Sequence, residues 1–441
     1  MPNPISSLSE FNQLKQEVKV NKNILLVGVD IAKENHTSAF EMTSGEILRK
    51  RFTFSNDFEG FSAFKDKIDF YQHRQPIEKV LVGMEATASY WKPLSHYLTT
   101  EQLAQVLVST FTVKNNRQTL NLSKDKNDVK DCHNICDLMR QGKFHFLNLQ
   151  KYEHQDLTHL FRMRFSLVKD KAKIRIQLRH LLSQVFPELE RQTGNILGKT
   201  ISAILQNCPF PKDILQMERQ DLRQLIYEAS NHRLGESKAQ SIYQLAQNSI
   251  GIDTEEMSTR LEMSLLFKRL SAIKQDISVI ENQILVCVEN NPHYNLLRTI
   301  KGIGAVSAAG LLAEIGDIDC YSNAKQLTKL AGLDLWGNFS GKSIRSGKHI
   351  SKKGRKILRT VAYEAAVSCV RCNPFFKNKY LQLLANQSPR KKICAIAYVA
   401  IADKLLRIVF RMLKDGQAFN PHYEEMLKER YQPKSKYHQA A

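Results

Sequence analysis

The sequence predicts a chain of mixed class, in which an α/β domain is followed by long helices and a mostly helical C-terminal domain. Three observations support this prediction. Short apolar runs that end in a carboxylate occupy residues 24–30 and 79–85. Apolar residues then repeat at heptad spacing from Leu157 to Val185 and from Leu266 to Cys287. Beyond residue 290, helical patterns alternate with glycine-rich and basic segments.

Length and charge limit the classes of protein to which this chain can belong. The chain has 441 residues, 64 Lys and Arg against 44 Asp and Glu, a net charge of +20 and a pI near 9.5. Such a positive field favours polyanions, with nucleic acid first and acidic membrane surfaces second. The N-terminal 22 residues lack the apolar core of a secretory signal, and no run is long enough to span a bilayer. We therefore expect a cytoplasmic protein with no membrane partner.

The first domain is predicted to span residues 23–150, after a flexible N-terminus of residues 1–22. The run from 24 to 30 predicts a strand buried on both faces, because it is short and rich in Ile, Leu and Val. The elements predicted after it are strands at 36–40 and 47–54, a helix at 58–73, a strand at 79–85, a helix at 89–103, a strand at 105–109 and a helix at 128–141. This order is that of a ribonuclease H fold.

Carboxylates stand where that fold carries its chemistry. Asp30 and Glu85 end strands expected to be adjacent and parallel, so both should project from one edge of the sheet. Asp128 and Asp131 fall on one face of the first turn of the last helix. Carboxylates that converge in this way repel one another without cations, and two Mg²⁺ ions about 4 Å apart are the usual remedy in phosphodiester chemistry. Asp125 precedes Asp128 by the same three-residue step, so a shifted pair fits the spacing as well.

The middle of the chain, residues 151–290, is predicted to be a coiled coil with a helical insert at 188–253. Two long heptad patterns separated by the insert suggest antiparallel helices that project between two domains. The same pattern also fits a subunit interface.

The C-terminal domain is predicted to span residues 291–420, followed by a polar tail at 421–441. An apolar helix, the turn at Lys301, Gly302 and Gly304, and a second helix from Ala305 predict a helix-hairpin-helix. Its glycines would let backbone N–H groups approach a DNA phosphate. The alternative is a plain glycine-rich junction between helices.

A basic segment follows this turn. Residues 340–359 contain eight Lys or Arg and no Asp or Glu. We predict phosphate contacts from Lys342, Arg345, Lys348, Lys352, Lys353, Arg355 and Lys356. By residue type the default interpretation is a solvated binding patch. A serine among cations can also be a nucleophile, because the cations stabilise both its alkoxide and the phosphorus centre that it attacks.

Several ordered motifs in this chain resemble one family. They are Val27-Gly-Val-Asp-Ile-Ala-Lys33, Met84-Glu85, Lys126-Asn-Asp-Val-Lys-Asp131, Ile300-Lys-Gly-Ile-Gly304, Ala331-Gly-Leu333 and Ser340-Gly341. Together they resemble the one-ten insertion-sequence transposases, to which Piv-type DNA invertases are similar. The resemblance covers about residues 24–145 and 292–412. The sequence departs from the family pattern at Asn127, where Thr is usual, and at Cys132, where Ala is usual.

The resemblance implies a bacterial DNA recombinase with a RuvC-like N-terminal domain that bears an acidic tetrad and a C-terminal domain that bears a catalytic serine. Matched residue by residue, the tetrad is Asp30, Glu85, Asp128 and Asp131, and the serine is Ser340. The tetrad would bind two Mg²⁺ and present the scissile phosphate to Ser340 across a subunit interface, which gives a covalent phosphoserine and strand exchange.

The resemblance also implies partners. These are donor and target DNA, a non-coding guide RNA from the element itself, and further copies of the chain in a dimer or tetramer, with a location at the bacterial nucleoid. The alternatives are a Piv-type site-specific invertase, a Holliday-junction-type nuclease that uses the tetrad alone, and a non-catalytic nucleic-acid scaffold.

Overall fold

The chain divides into two compact units. The computed structural model describes residues 8–85, 89–121, 128–146, 152–252, 256–336, 349–385 and 391–422. The first unit comprises Met1–Gln150 with Asp319–Ser322, and the second comprises Lys151–Ile318 with Asn323–Ala441. Most of the described residues are helical, and the long strands all lie in the first unit.

The first unit is built on one mixed sheet. Its strands are β1 (Ile24–Asp30), β2 (Asn35–Met42), β3 (Ile47–Ser55), β4 (Lys79–Glu85), β5 (Ala104–Val108) and the two-residue β6 (His145–Phe146). They lie in the order β3-β2-β1-β4-β5-β6. Strands β1, β4 and β5 are parallel, whereas β2, β3 and β6 are antiparallel to their neighbours. The predicted meander and the pairing of β1 with β4 are confirmed, as is the mixed α/β class of this region.

Helices cover both faces of the sheet. They are α1 (Leu8–Val20), α2 (Phe58–Arg74), α3 (Trp91–Thr100), α4 (Thr110–Asn121) and α5 (Asp128–Arg140). One core contains Ile24 and Leu26 with residues of α1 and α5, and the other contains Leu25 and Val27 with residues of α2 and α3. Alternate residues of β1 thus enter opposite cores, which explains why its sequence is apolar throughout.

Helix α1 corrects one prediction. Residues 1–22 were expected to be flexible, yet residues 8–20 form a helix whose Phe11, Leu14 and Val18 are buried in the core. These residues stand three and four apart on one helical face. The polar residues between them make the apolar pattern weak in the sequence. The helix is buried because one face of the sheet packs against these three side chains.

The second unit begins with two long helices and the helical insert between them. Its first helices are α6 (Tyr152–Val185), α7 (Pro187–Gln192), α8 (Lys199–Asn207), α9 (Pro211–Gln216), α10 (Arg219–Ala229), α11 (Glu236–Gln247) and α12 (Glu256–Val288). Arg164 Nε donates to Glu281 Oε1 at 2.7 Å, while farther along α6 residues 174–185 share a core with residues 263–270. Helices α6 and α12 are therefore antiparallel neighbours, and coiled-coil supercoiling stays a prediction.

The predicted heptad stripes lie on the packed faces of these helices, with one correction at the end of α12. Leu266, Leu270, Ile280 and Ile284 are buried. Cys287 was assigned to the stripe but is exposed, and the next residue, Val288, is buried instead. An α-helix drifts against a strict seven-residue repeat, so the inward position moves by one residue over these turns.

The C-terminal part of the second unit is a helical cluster with one small hairpin. Its elements are α13 (Pro292–Arg298), α14 (Ala305–Ile315), α15 (Ala324–Leu330), β7 (Leu335–Trp336), β8 (His349–Ile350), α16 (Lys356–Cys372), α17 (Pro374–Leu384) and α18 (Lys391–Asp415). Helix α14 begins at Ala305, as the sequence predicted. Of the predicted polar tail, residues 423–441 lie outside the described residues. Within the described ranges, every helix is too short or too polar to cross a bilayer.

Candidate active site and nucleic-acid interface

Two glycines bring helix α5 against the sheet at its centre. Gly28 of β1 pairs in register with Gly83 of β4. A Cβ on Gly28 would lie 2.3 Å from the Cys132 carbonyl oxygen, and a Cβ on Gly83 would lie 2.2 Å from Met139 Sδ. Since real Cβ atoms do not approach so closely, only glycine lets the helix sit this near to both strands.

The carboxylate-bearing ends of β1 and β4 share the sheet face that α5 covers. Side chains alternate along a strand, so Asp30 and Glu85 project to the same face as Gly28 and Gly83. Cys132 Sγ donates to the carbonyl oxygen of Thr37, the residue that pairs with Asp30. The distance from Cys132 Sγ to the Thr37 oxygen is 3.1 Å.

The first turn of α5 therefore lies beside the carboxyl end of β1. Asp131 precedes Cys132 and is 2% exposed. Asp128 begins the helix, and its side chain lies outside the described residues, as does Asp125. Where side chains are described, no three His, Cys, Asp or Glu residues lie close enough to hold a metal ion. The backbone thus brings three acid-bearing ends together, and the tetrad itself stays a prediction.

The contact at Gly28 gives a test of this arrangement. Gly28→Ala should lower the free energy of unfolding by about 2–3 kcal/mol, because helix backbone must shift to admit the methyl group. Gly83→Ala, at the same register position, should cost less, because its methyl group meets the flexible Met139 side chain. Calorimetric unfolding of the full chain compares the two variants, and equal destabilisation would contradict the close packing of α5 on β1.

The segment after Asp30 is held by two polar side chains. The Ala32 N–H donates to His36 Nδ1 at 3.2 Å, and Asn56 Nδ2 donates to the Lys33 carbonyl oxygen at 3.1 Å. His36 is fully buried. Because Nδ1 accepts this bond, the neutral imidazole carries its proton on Nε2, and protonation of Nδ1 would break the contact.

This contact predicts an acid sensitivity. Burial between Phe54 and Phe61 lowers the pKa of His36 below its ordinary 6.5, although the neighbouring Asn56 side chain opposes the shift. The unfolded chain then binds more protons than the folded one, so stability present above pH 6.5 is lost as the pH falls towards the folded-state pKa.

The matched variants are His36→Asn, whose Oδ1 keeps an acceptor near the position of Nδ1, and His73→Asn on exposed α2 surface. Melting temperatures measured from about pH 7.5 to about pH 5 should fall less steeply for His36→Asn than for the wild type. His73→Asn should follow the wild type. Parallel curves for wild type and His36→Asn would mean that another group titrates.

Sequence reasoning missed the residues that join α5 to strand β2. Glu41 of β2 is 5% exposed, with His133 Nδ1 2.5 Å from its Oε1 and Arg140 bound to its Oε2. His133 and Arg140 stand seven apart, on one face of the helix. The signal was present as one glutamate between the apolar residues Phe40 and Met42, together with two basic residues at helical spacing.

Cys136, on the packed face of α5, is fully buried in the core of the first unit. Burial raises the pKa of the Cys136 thiol well above its usual range, with nearby Glu41 adding to the shift. A thiol must lose its proton to bind a metal, so this residue belongs to the core.

In the second unit, a small hairpin brackets the segment that contains the predicted nucleophile. Leu335 pairs with Ile350, and Trp336 pairs with His349. Residues 337–348, which include Ser340, Lys342, Arg345 and Lys348, lie outside the described residues. The two ends of this segment therefore meet at the β7–β8 ladder, and the roles of its residues stay predictions.

The described part of the basic segment is of two kinds. Lys352, Lys353 and Lys356 are exposed. Arg355, by contrast, donates through a guanidinium nitrogen to the Glu314 carbonyl oxygen at the end of α14. Arg359 likewise donates to the Ala331 carbonyl oxygen at 2.8 Å. The three lysines thus lie at the surface, whereas Arg355 has a packing role beside its predicted phosphate contact.

The glycines of the predicted helix-hairpin-helix have different surroundings. Gly302 has φ +107°, and a Cβ there would lie 2.7 Å from Cys369 Cα on α16. Glycine is needed at this position because of the positive φ of the turn and the close packing against α16. Gly304 and Lys301 are exposed, with open space at the Cβ position of Gly304. Phosphate binding at this turn stays a prediction.

Family comparisons decide the class of enzyme. A family model for the DEDD transposase domain of the IS110 group matches residues 27–187. A second, described as a transposase of the IS116/IS110/IS902 family, matches residues 294–381, and together they cover more than half of the chain. The chain belongs to the IS110 family of transposases. Membership implies a DNA-recombining enzyme, and the DEDD domain suggests a ribonuclease H-like fold and a divalent metal.

Individual relatives agree with this assignment. This IS110 transposase is 24% identical to the insertion element IS110 uncharacterized 43.6 kDa protein of Streptomyces coelicolor, over 66% of this chain and 71% of that protein. It is 21% identical to the transposase for insertion sequence element IS1328 of Yersinia enterocolitica, over 90% of this chain and 99% of that protein. It is 32% identical to the pilin gene-inverting protein of Moraxella bovis, over 34% of this chain and 47% of that protein.

Proposed function

We propose that this IS110 transposase cleaves and rejoins DNA through a phosphoserine at Ser340, assisted by divalent metal held at Asp30, Glu85, Asp128 and Asp131. The observation that carries the proposal is the meeting of β1, β4 and the first turn of α5, each with a carboxylate at or near its end. The donor set fits Mg²⁺, which prefers carboxylate oxygens. The bound metal would polarise the scissile phosphate and offset repulsion among the carboxylates.

The chemistry assigned to the protein's own residues is a balanced exchange. Ser340 Oγ loses its proton and forms a bond to phosphorus, while the bond from phosphorus to one DNA oxygen breaks and that oxygen takes a proton. A hydroxyl of the partner strand later attacks the phosphoserine and releases Ser340, so no net hydrolysis occurs. Exposed Lys352, Lys353 and Lys356, close to the β7–β8 ladder, support an anionic DNA backbone near this segment.

A non-coding RNA that selects donor and target DNA, and a dimeric or tetrameric assembly, complete the proposal. The net charge of +20 supports the proposal of an RNA partner, because such a charge suits the binding of more than one nucleic acid. The likeness to pilin gene-inverting proteins favours a second candidate, a site-specific invertase that uses the same residues. The two functions differ in DNA substrate: element ends with a target in one case, inverted sites flanking a segment in the other.

The test is to incubate the full chain with Mg²⁺, the RNA transcribed beside its gene, and a donor junction, then to digest it and search for nucleotides on the peptide that contains Ser340. We expect that adduct. DNA cleaved to free ends without any adduct would instead support a nuclease that uses the tetrad alone.

A further inference from the structure

The chain reverses direction after α18 and packs back on the C-terminal cluster. Gly416 has φ +64°, a left-handed conformation that ends the helix, and the Gln417 N–H donates to the Met412 carbonyl oxygen at 3.2 Å. The N–H of Phe419 then donates to Thr299 Oγ1 at 3.0 Å. This returning segment, residues 416–420, is thus tied to α18 and to the turn after α13.

Aromatic contacts fix the returning segment. The Phe419 ring lies 5.8 Å from the ring of Phe375 at 73°, and 5.8 Å from that of Phe376 at 16°. Edge-to-face and offset contacts of this kind stabilise one ring orientation. Phe376 is fully buried, whereas Phe375 and Phe419 keep part of their surface accessible.

A cavity of about 180 Å³ lies between the returning segment and α18. Phe375, Phe419, Ile408 and Met412 supply apolar lining. A water molecule takes about 30 Å³ of liquid volume, so the space is large enough for a planar ring several atoms across. We call it the C-terminal cavity.

The same cavity has a cationic rim. Lys404, Arg407 and Arg411 line it from one face of α18. Burial, followed by the charges of Lys379 and Arg407, lowers the pKa of Lys404, while Asp403 acts in the opposite direction. Arg407 Nε lies 2.7 Å from Asp403 Oδ2. Asp415 is the carboxylate that lines the cavity. Three cations and one carboxylate, Asp415, thus line the cavity, an excess of positive charge that an anion would reduce.

We propose that the C-terminal cavity binds one unpaired nucleotide of a nucleic-acid strand, with its base against Phe375 and Phe419 and its phosphate at Lys404 and Arg411. Aromatic floors beside cations are the usual means of binding single strands, because every base has a face that stacks and every phosphate carries a charge. A base can enter only if it is unpaired and unstacked, so duplex is excluded. The inference rests on the action of IS110 transposases on DNA, and it requires neither Ser340 nor the acidic tetrad.

Fluorescence anisotropy of the full chain can test this site. The probes are end-labelled oligothymidylate and oligouridylate of about 12 nucleotides, and a duplex of equal length. Phe375→Leu, which keeps apolar volume but removes the ring, should weaken single-strand binding about tenfold and leave duplex binding unchanged. Lys404→Met should lower the slope of log K against log salt by about 0.7, the value for one lost phosphate contact on a single strand.

Two controls separate binding from folding and from catalysis. Lys238→Met, on α11 in the helical insert, removes the same charge away from the cavity and should leave the salt slope unchanged. Each variant must retain the wild-type melting transition. Ser340→Ala should keep full single-strand affinity, so loss of the covalent adduct in that variant bears only on the proposed chemistry.

A direct readout completes the test. Irradiation of the complex with an oligonucleotide that contains 5-iodouracil should crosslink peptides that contain Phe375 or Phe419. Tighter binding of the deoxyribose or the ribose strand would identify the source of the nucleotide. Unchanged affinity in both Phe375→Leu and Lys404→Met, or equal weakening on single strand and duplex, would overturn the proposal.

Discussion

Ser340→Ala should form no covalent protein–DNA adduct and complete no strand exchange, while its affinity for donor DNA stays at the wild-type level. Activity should fall to background, because the hydroxyl is the atom that forms the bond to phosphorus and no other step replaces it. DNA binding should survive, because the neighbouring cations remain in the variant. Denaturing gels with labelled DNA measure the adduct, and filter binding measures affinity.

Two other serines of the same basic segment are matched controls for this variant. Ser343→Ala and Ser346→Ala remove a hydroxyl from the same stretch without changing its charge. Both should retain the adduct. If Ser340→Ala formed it at the wild-type rate, or if a control lost it instead, the nucleophile would have been assigned to the wrong residue.

Asp131→Asn should lower Mg²⁺-dependent cleavage by about a thousandfold or more. The substitution keeps shape and volume but removes one negative charge from a side chain that is 2% exposed. A catalytic metal supplies several kcal/mol of charge stabilisation, and each 1.36 kcal/mol corresponds to a factor of ten in rate. Asp30→Asn should behave in the same way. Cleavage rates measured over a range of Mg²⁺ concentrations give the loss and any change in apparent metal affinity.

The same helix provides a control for Asp131. Asp137 lies on α5 but accepts from Asn116 Nδ2 at 2.9 Å, away from the strand ends. Asp137→Asn should lose some stability and keep the wild-type Mg²⁺ dependence. A second measurement, the rise in melting temperature on addition of Mn²⁺, should be present in the wild type and in Asp137→Asn and absent in Asp131→Asn. A wild-type rise in Asp131→Asn would remove that residue from the metal site.

Local patterns predicted much of the first unit. Strands β1 and β4 begin and end where their apolar runs do, and α5 begins at Asp128. A strand buried on both faces must be continuously apolar, so its limits can be read from the residues themselves. The spacing also predicted α14. Helix α4 was missed, because its polar sequence carries no clear apolar stripe.

Predicted contact residues turned out to differ in their surroundings. Sequence reasoning grouped Arg355 with the lysines of the basic segment, yet its guanidinium bonds to a backbone carbonyl of α14. It assigned Gly302 to phosphate binding, yet that glycine fits against α16. In both cases the residue type suits a packing role as well as a phosphate contact, and the packing partner lies far away in sequence. The phosphate contacts stay predictions.

By itself, the sequence determined the α/β class of the first unit, the acids at the ends of β1 and β4, the apolar stripes of α6 and α12, and the resemblance to a transposase family. Each of these depends on residue type and on spacing within one element. Only the tertiary structure decided that α1 docks on the core, that Gly28 admits α5 to the strand ends, and that Phe419 folds back to form a basic cavity. These features depend on which distant surfaces meet, and packing of the whole chain fixes that choice.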